Sequence, residues 1–398
     1  MCKNGMMYGL SFFICVLKYI KEIYMNKMGI KFKMKIVKWI AKNQERTLMK
    51  CWNSEDYRYA VKITGGIGDA LVIARLIRDF QKNIENKYKF DIYYHSSKAV
   101  YPIFKGIQGF EYAIDDIEFE RIRKFYTFSL ICNQFVQFGD EIKFKTIIKE
   151  CPDIIYYASN IQKSRYYIEA FIQYHPLLDG AFANRQVLFG KKRISWLHDM
   201  LGITYGGNIL SLPDINYEIY KNFGLTKYRY ITVHDGWDAK FKISSLRPTK
   251  TIPIEKWKDI ICKLHINFPD LPIVQIGGET GDVLEGIDIQ LKGKLPFMDS
   301  AGILSSSLVH IDCESGLVHL AASLGTRCVV LFGPTNVDWF GYEENINIRP
   351  QKCGNCWWST STWMDNCPRG YKEPPCIASI DTHQVIEGVY SIISNKGD

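Results

Sequence analysis

Asp69 stands in GGIGDAL (65–71), behind three glycines and at the head of an amphipathic run, and that setting gives it chemistry. The apolar stretch YAVKIT (59–64) predicts a buried strand, and GDALVIARLIRDFQ (68–81) predicts a helix. A carboxylate in the first turn of a helix is stabilised by the free amides there. Ionised and exposed, it accepts a proton from a substrate hydroxyl. The same residue serves equally as a helix cap with no chemistry. A dinucleotide fingerprint needs a third glycine where this chain has Leu71, and an acidic residue closing the second strand. Both are missing, and Asp69 competes with any pyrophosphate for the same dipole, so a nicotinamide-dependent oxidoreductase is disfavoured.

Anion-binding chemistry gathers in the second half. Lys250 lies in RPTKTIPIEKW (247–257), ahead of a helix that Pro253 begins, and Arg247 opens the same stretch. Both side chains reach an anion or are simply solvated. His234 begins the loop HDGWD (234–238) that follows a strand. In IGGETG (276–281), Glu279 is either a ribose hydrogen-bonding carboxylate or a turn residue. In DCESGLVHLAASLG (312–325), Glu314 precedes Ser315 and Gly316, whose backbone amides at a helix start form an anion site. His319, on the apolar face of that helix, reads as a packing residue or as a ligand.

Near the end, Cys353-x2-Cys356-x10-Cys367-x8-Cys376 has the spacing of a tetrahedral metal site. Zinc or iron there would close the loop. Reduced thiols in an aromatic-rich loop, or two disulfides in an exported protein, are the alternatives. The chain has twelve cysteines and no convincing secretion signal, which points to a reducing compartment.

Positioning these groups requires strands that alternate with helices. KFDIYYH (89–95) and FSLICNQF (128–135) predict further strands of a first parallel sheet. The pattern resets with strands in KYRYITVHDGWD (227–238), LPIVQIGG (271–278), SLVHID (307–312) and TRCVVLFGPT (326–335), and helices over 253–269 and 315–325. The predicted class is α/β: two Rossmann-like parallel-sheet domains facing across a cleft, with ligands at the carboxyl ends of the strands. The predicted division is a basic segment 1–50, a first domain 51–215 and a second 216–398 that carries the Cys-rich loop 353–376. The linker lies near 205–226, around YGGNILSLPD.

Charge separates the segment from the body. Residues 1–50 hold eleven Lys and Arg against Glu22 and Glu45, a charge of +9, so of the total +8 the rest of the chain carries −1. A neutral body argues against nucleic-acid binding. GLSFFICVLKYI (9–20) is short for a bilayer span, which needs about 20 apolar residues. KMKIVKWIAK (33–42) sets Ile36, Val37 and Ile40 opposite Lys35, Lys38 and Lys42, a pattern that suits an anionic membrane surface. A solvated N-terminus, or a start at Met25 or Met28, is the alternative.

GGIGDAL, KTIPIEKWKDII (250–261), ESGLVHLAASLG (314–325) and LFGPT (331–335), in this order and spacing, resemble glycosyltransferase family 9, the heptosyltransferases of bacterial envelope biosynthesis. The resemblance spans about 57–395 and implies a two-domain GT-B enzyme that inverts the anomeric centre without a bound metal. It implies that Asp69 is the catalytic base, with Gly66 and Gly68 letting an acceptor approach. Lys250 then neutralises the diphosphate leaving group. Arg247, His234, Glu279, Glu314, Ser315, Gly316, Leu317 and His319 stand around the donor. Glu314 departs from the Asp of many members, and HDGWD is not the usual form of its loop.

The expected donor is ADP-heptose, and the expected acceptor a lipopolysaccharide or lipooligosaccharide at the cytoplasmic face of the inner membrane. The cysteine tail resembles that of autotransporter heptosyltransferases, where it looks like an iron-binding finger; a protein O-heptosyltransferase is therefore the nearest rival. A non-catalytic nucleotide-sugar-binding module is the alternative of another class.

Overall fold

Strand β1 (Arg58–Ile63) is buried on both faces, as a central parallel strand must be, and its apolar run is why it forms there. The computed structural model describes residues 57–139, 151–237 and 249–394. Tyr57–Phe119 and the described residues from 123 onward form one compact unit. The basic amphipathic stretch at 33–42, the apolar stretch at 9–20 and Arg247 lie outside the described residues.

The first sheet has strands β2 (Lys89–Tyr94), β3 (Phe110–Asp115), β4 (Phe128–Cys132) and β5 (Val136–Phe138) beside β1, in the order β3-β2-β1-β4-β5. The first four are parallel, and β5 is antiparallel to β4. The single strand expected over 128–135 is instead the start of a hairpin. Asn133 makes the turn: its side chain accepts from Phe135 N, and its amide donates to Phe135 O. Around this sheet pack α1 (Ile67–Asn83), α2 (Ser97–Phe104), α3 (Ile155–Gln173), α4 (Asp179–Leu188) and α5 (Arg193–Leu201).

The second sheet is wholly parallel: β6 (Ile231–Val233), β7 (Ile273–Gln275), β8 (Ile289–Gln290), β9 (Val309–Cys313), β10 (Cys328–Leu331) and β11 (Ile346–Ile348), in the order β11-β10-β9-β6-β7-β8. Its helices are α6 (Ile254–Asn267), α7 (Phe297–Ser305), α8 (Gly316–Leu324) and α9 (Thr382–Ser394). Among the described residues no helix is long and apolar enough to cross a membrane.

Strand order locates the site. In the first sheet the chain winds one way from β1 to β3 and the other way to β4, so the switch point lies between β1 and β4. In the second it lies between β6 and β9. Loops leaving the carboxyl ends of strands at a switch point diverge and open a crevice. Those loops are Gly65–Gly66 after β1, His234–Asp235 after β6 and Glu314–Ser315 after β9.

Candidate active site

At the first switch point the backbone turns through Gly65, whose φ of +119° suits only glycine; a Cβ there would also meet Asp69 Oδ2. Gly66 caps α1, and Asp69 folds back so that Gly66 N donates to its Oδ2 at 3.0 Å. The other oxygen, Oδ1, accepts from Arg193 Nη2 at 2.9 Å. Asp69 keeps 29% of its side chain exposed, whereas Arg193 is buried. A Cβ on Gly66 would meet nothing within 4 Å, so the space beside the carboxylate is open on that side.

Gly68 faces the other way, into contact. A Cβ at Gly68 would lie 2.6 Å from His319 Cδ2 and 3.4 Å from Gly316 Cα, and one at Gly316 would lie 2.6 Å from Ile67 Cγ2. The N-termini of α1 and α8 therefore meet directly, and the glycines allow it. Gly68→Ala is expected to cost about 1–3 kcal/mol by overpacking, because the His319 ring is pinned and cannot swing away. Gly66→Ala, with its open space, is expected to cost under about 1 kcal/mol. Equilibrium unfolding of the two variants checks the contrast.

His319 is held at both nitrogens: Nδ1 pairs with Tyr342 Oη at 2.6 Å, and Nε2 lies 3.5 Å from Glu314 Oε1. Tyr342 Oη also accepts from Arg75 Nη1 at 2.6 Å, while Arg75 Nη2 donates to His319 O and Ser323 Oγ at 2.8 and 2.7 Å. Arg75 is fully buried, so α1 is tied to α8 by a charged group with no access to water.

Glu314 faces Lys250, whose Nζ donates to Glu314 O at 2.8 Å and lies 3.6 Å from its Oε2. Burial opposes the charge on Glu314, yet Lys250 and His319 overcome it and lower its pKa. Lys250 is placed by its neighbour Thr249, which donates from N to Met364 O at 2.9 Å and from Oγ1 to Trp363 O at 2.6 Å. The Cys-rich stretch thus holds the lysine loop in place.

Beneath Ser315 lies Asp312, at 0% exposure. Its carboxylate pairs with His234 Nδ1 at 3.0 and 3.1 Å and with His310 Nε2 at 3.3 Å, and accepts from Ser315 Oγ. Burial opposes the Asp312 charge, but the two histidines hold its pKa well below the ordinary carboxylate range. Burial likewise opposes the His234 charge, and Asp312 raises its pKa regardless. Ser315 Oγ in turn accepts from Leu317 N at 3.1 Å and so caps α8.

The expected residues therefore fall into groups. Gly68, Gly316 and His319 are in contact; Lys250, Glu314 and His319 form a second cluster; His234 and Ser315 meet on Asp312. Glu279 is exposed, and its carbonyl accepts from Lys292 Nζ at 3.0 Å. Arg193, Asp312, Arg75 and Tyr342 were not expected. His310 and Asp312 gave one signal, two polar residues alternating inside an apolar strand; Arg193 gave none.

The expected metal centre is not assembled. Among the described residues no group of three or more His, Cys, Asp or Glu is arranged to hold an ion. Cys376 is buried with its Sγ against the Gly333 turn, whereas Cys353, Cys356 and Cys367 are half-buried. Burial, then the neighbouring thiols, pushes the Cys356 thiol up to about 11 and that of Cys376 up to about 12, so the four thiols lie within electrostatic reach of one another.

Residues 240–357 match the pattern of glycosyltransferase family 9 (heptosyltransferase). No curated protein matches the chain. Among solved structures, the ADP-heptose LPS heptosyltransferase II of E. coli is 15% identical, with 86% of this chain and 100% of that one covered and a TM-score of 0.50. The iron-containing dodecameric glycosyltransferase TibC from enterotoxigenic E. coli H10407 is 11% identical, covering 86% and 78%, with a TM-score of 0.54. TibC in complex with ADP-D-β-D-heptose is 13% identical, with the same coverage and score. At these identities the likeness is one of fold, the two-sheet GT-B arrangement. With that fold and the family 9 pattern over residues 240–357, the chain is a glycosyltransferase similar to family 9.

Proposed function

We propose that this glycosyltransferase moves heptose from ADP-heptose to a hydroxyl of a lipopolysaccharide or lipooligosaccharide acceptor, with inversion. The acceptor belongs on the first domain, 51–215, and the donor on the second, 216–398. One observation carries the reading: a partly exposed carboxylate and the capped, amide-rich start of α8 are brought together where the two switch points meet. Asp69 takes the proton from the acceptor hydroxyl as its oxygen bonds to the anomeric carbon. The bond from that carbon to the diphosphate oxygen breaks on the opposite face. Lys250 and the Gly316 amide at the start of α8 then stabilise the departing charge. No cofactor is needed for this displacement.

Lys250 begins beside Glu314, so the leaving group draws it from one anion to another. His234, whose pKa Asp312 raises, lies below the same turn. The basic first fifty residues suit an enzyme that works at the cytoplasmic face of an anionic membrane.

Thermal-shift measurements with ADP-heptose and with GDP- and UDP-sugars test the donor. A ligand present at a hundredfold excess over its Kd adds about 2.7 kcal/mol, so only the true nucleotide raises Tm strongly. ADP-heptose is the expected one, and a shift confined to a UDP- or GDP-sugar overturns that part. Transfer assays on lipooligosaccharide and on a serine-containing peptide then separate the lipid acceptor from a protein acceptor.

A further inference from the structure

Arg193 is the first residue of α5, 124 residues beyond the carboxylate it holds. We infer that it is a positioning residue for Asp69, fixing the direction in which the carboxylate faces the acceptor. The inference rests on the reading of Asp69 as the base.

Both Asp69 oxygens have a donor, one from its own helix and one from Arg193. The same Nη2 donates to Asn133 O at 3.0 Å, and Asn133 directly follows β4, the strand that flanks the first switch point. The carboxylate is thereby referenced to the sheet as well as to α1. Without Arg193 one oxygen keeps only its link to Gly66, and the broad terminal torsion of an aspartate is free to turn.

Stability does not account for this arrangement. Arg193 is 1% exposed, and its Nε and Nη1 have no hydrogen-bond partner among the described residues. A guanidinium removed from water with so few of its donors engaged gains little in net stability, since desolvation rivals the attraction. Direction is what the pair supplies. A second buried carboxylate, Asp179 on α4, sits within electrostatic reach of both Asp69 and Arg193 and pairs with His175 Nδ1 at 2.8 Å.

The test uses the full chain and four variants: R193Q, R193K, D69N and D69N/R193Q. Circular dichroism and donor-induced melting shifts confirm that each is folded. R193Q is expected to lower kcat on the order of 10- to 100-fold, since misplacing a reacting group by about 1 Å costs that much. KM for both substrates should stay within about twofold, because Arg193 is buried and touches neither. R193K is expected to recover part of the loss. In the D69N background R193Q should cost nothing further, since it acts only through the carboxylate.

A kcat for R193Q within twofold of wild type overturns the inference. So does an equal loss with and without Asp69, which marks a purely structural role. If R193Q does not fold, R193K and an added D69N/R193K variant carry the same comparison. Transfer retained by D69N instead removes the base reading itself, whatever Arg193 does.

Discussion

Asp69→Asn is expected to reduce kcat for sugar transfer by about 10²- to 10⁴-fold, the range that a positioned general base contributes. The amide is nearly isosteric and its oxygen still accepts from Arg193 or from Gly66 N, so the α1 turn keeps its shape. What disappears is a group able to take the hydroxyl proton. Donor affinity should be unchanged, because the proposed phosphate contacts, Lys250 and the start of α8, belong to the other sheet. Stability should fall modestly: the helix start loses a stabilising charge worth about 0.3–1 kcal/mol, and the hydrogen bond from the buried Arg193 weakens. Single-turnover transfer combined with donor titration checks the pair of outcomes. Transfer within about fivefold of wild type would remove Asp69 from the base role, and unchanged kcat with lost donor affinity would move it to the nucleotide site.

Local chemistry made the two turns legible before any fold was known. Gly65 and Asp69 are four residues apart, and each explains the other: the positive φ of Gly65 makes room for the returning carboxylate. Ser315 and Gly316 were readable in the same way, as the amide-rich start of a helix. Strand alternation was enough for two parallel sheets, because their central strands are buried on both faces. It was not enough for β5, since three residues returning antiparallel from a tight Asn133 turn carry no period of their own.

Arg75 and Arg193 were hidden for a different reason. Each is a cation inside an otherwise ordinary helix, and only tertiary packing brings it to Tyr342 or Asp69, across 267 and 124 residues. The cysteine stretch carried a second role that its spacing did not announce. Cys376 packs against the Gly333 turn, and the stretch between the cysteines reaches Thr249 through the carbonyls of Trp363 and Met364.

The largest stability loss is expected at Asp312. Asp312→Ala leaves His234, His310 and Ser315 Oγ without their shared acceptor in a site closed to water, and breaking a buried charge pair of this kind costs about 3–5 kcal/mol. Asp312→Asn keeps the volume and one acceptor, so its loss should be smaller, while the charge that raises the His234 pKa is gone. The pH dependence follows from the directions of the shifts. His234 has a raised folded pKa, so its stabilisation is complete below the ordinary histidine value of about 6.5 and is lost as pH rises through the raised value. Asp312 has a depressed folded pKa, so its contribution is complete above about 3.9 and is lost only in strong acid. Wild type should therefore lose stability above pH 6.5 in a way that D312N does not, and denaturant unfolding between pH 6 and pH 9 checks it. Donor affinity should fall in D312A as well, because Ser315 no longer has the partner that orients its cap on α8. A D312A protein as stable as wild type across that range would mean that the two histidines and the serine find other partners, and that the α8 turn does not depend on the carboxylate beneath it.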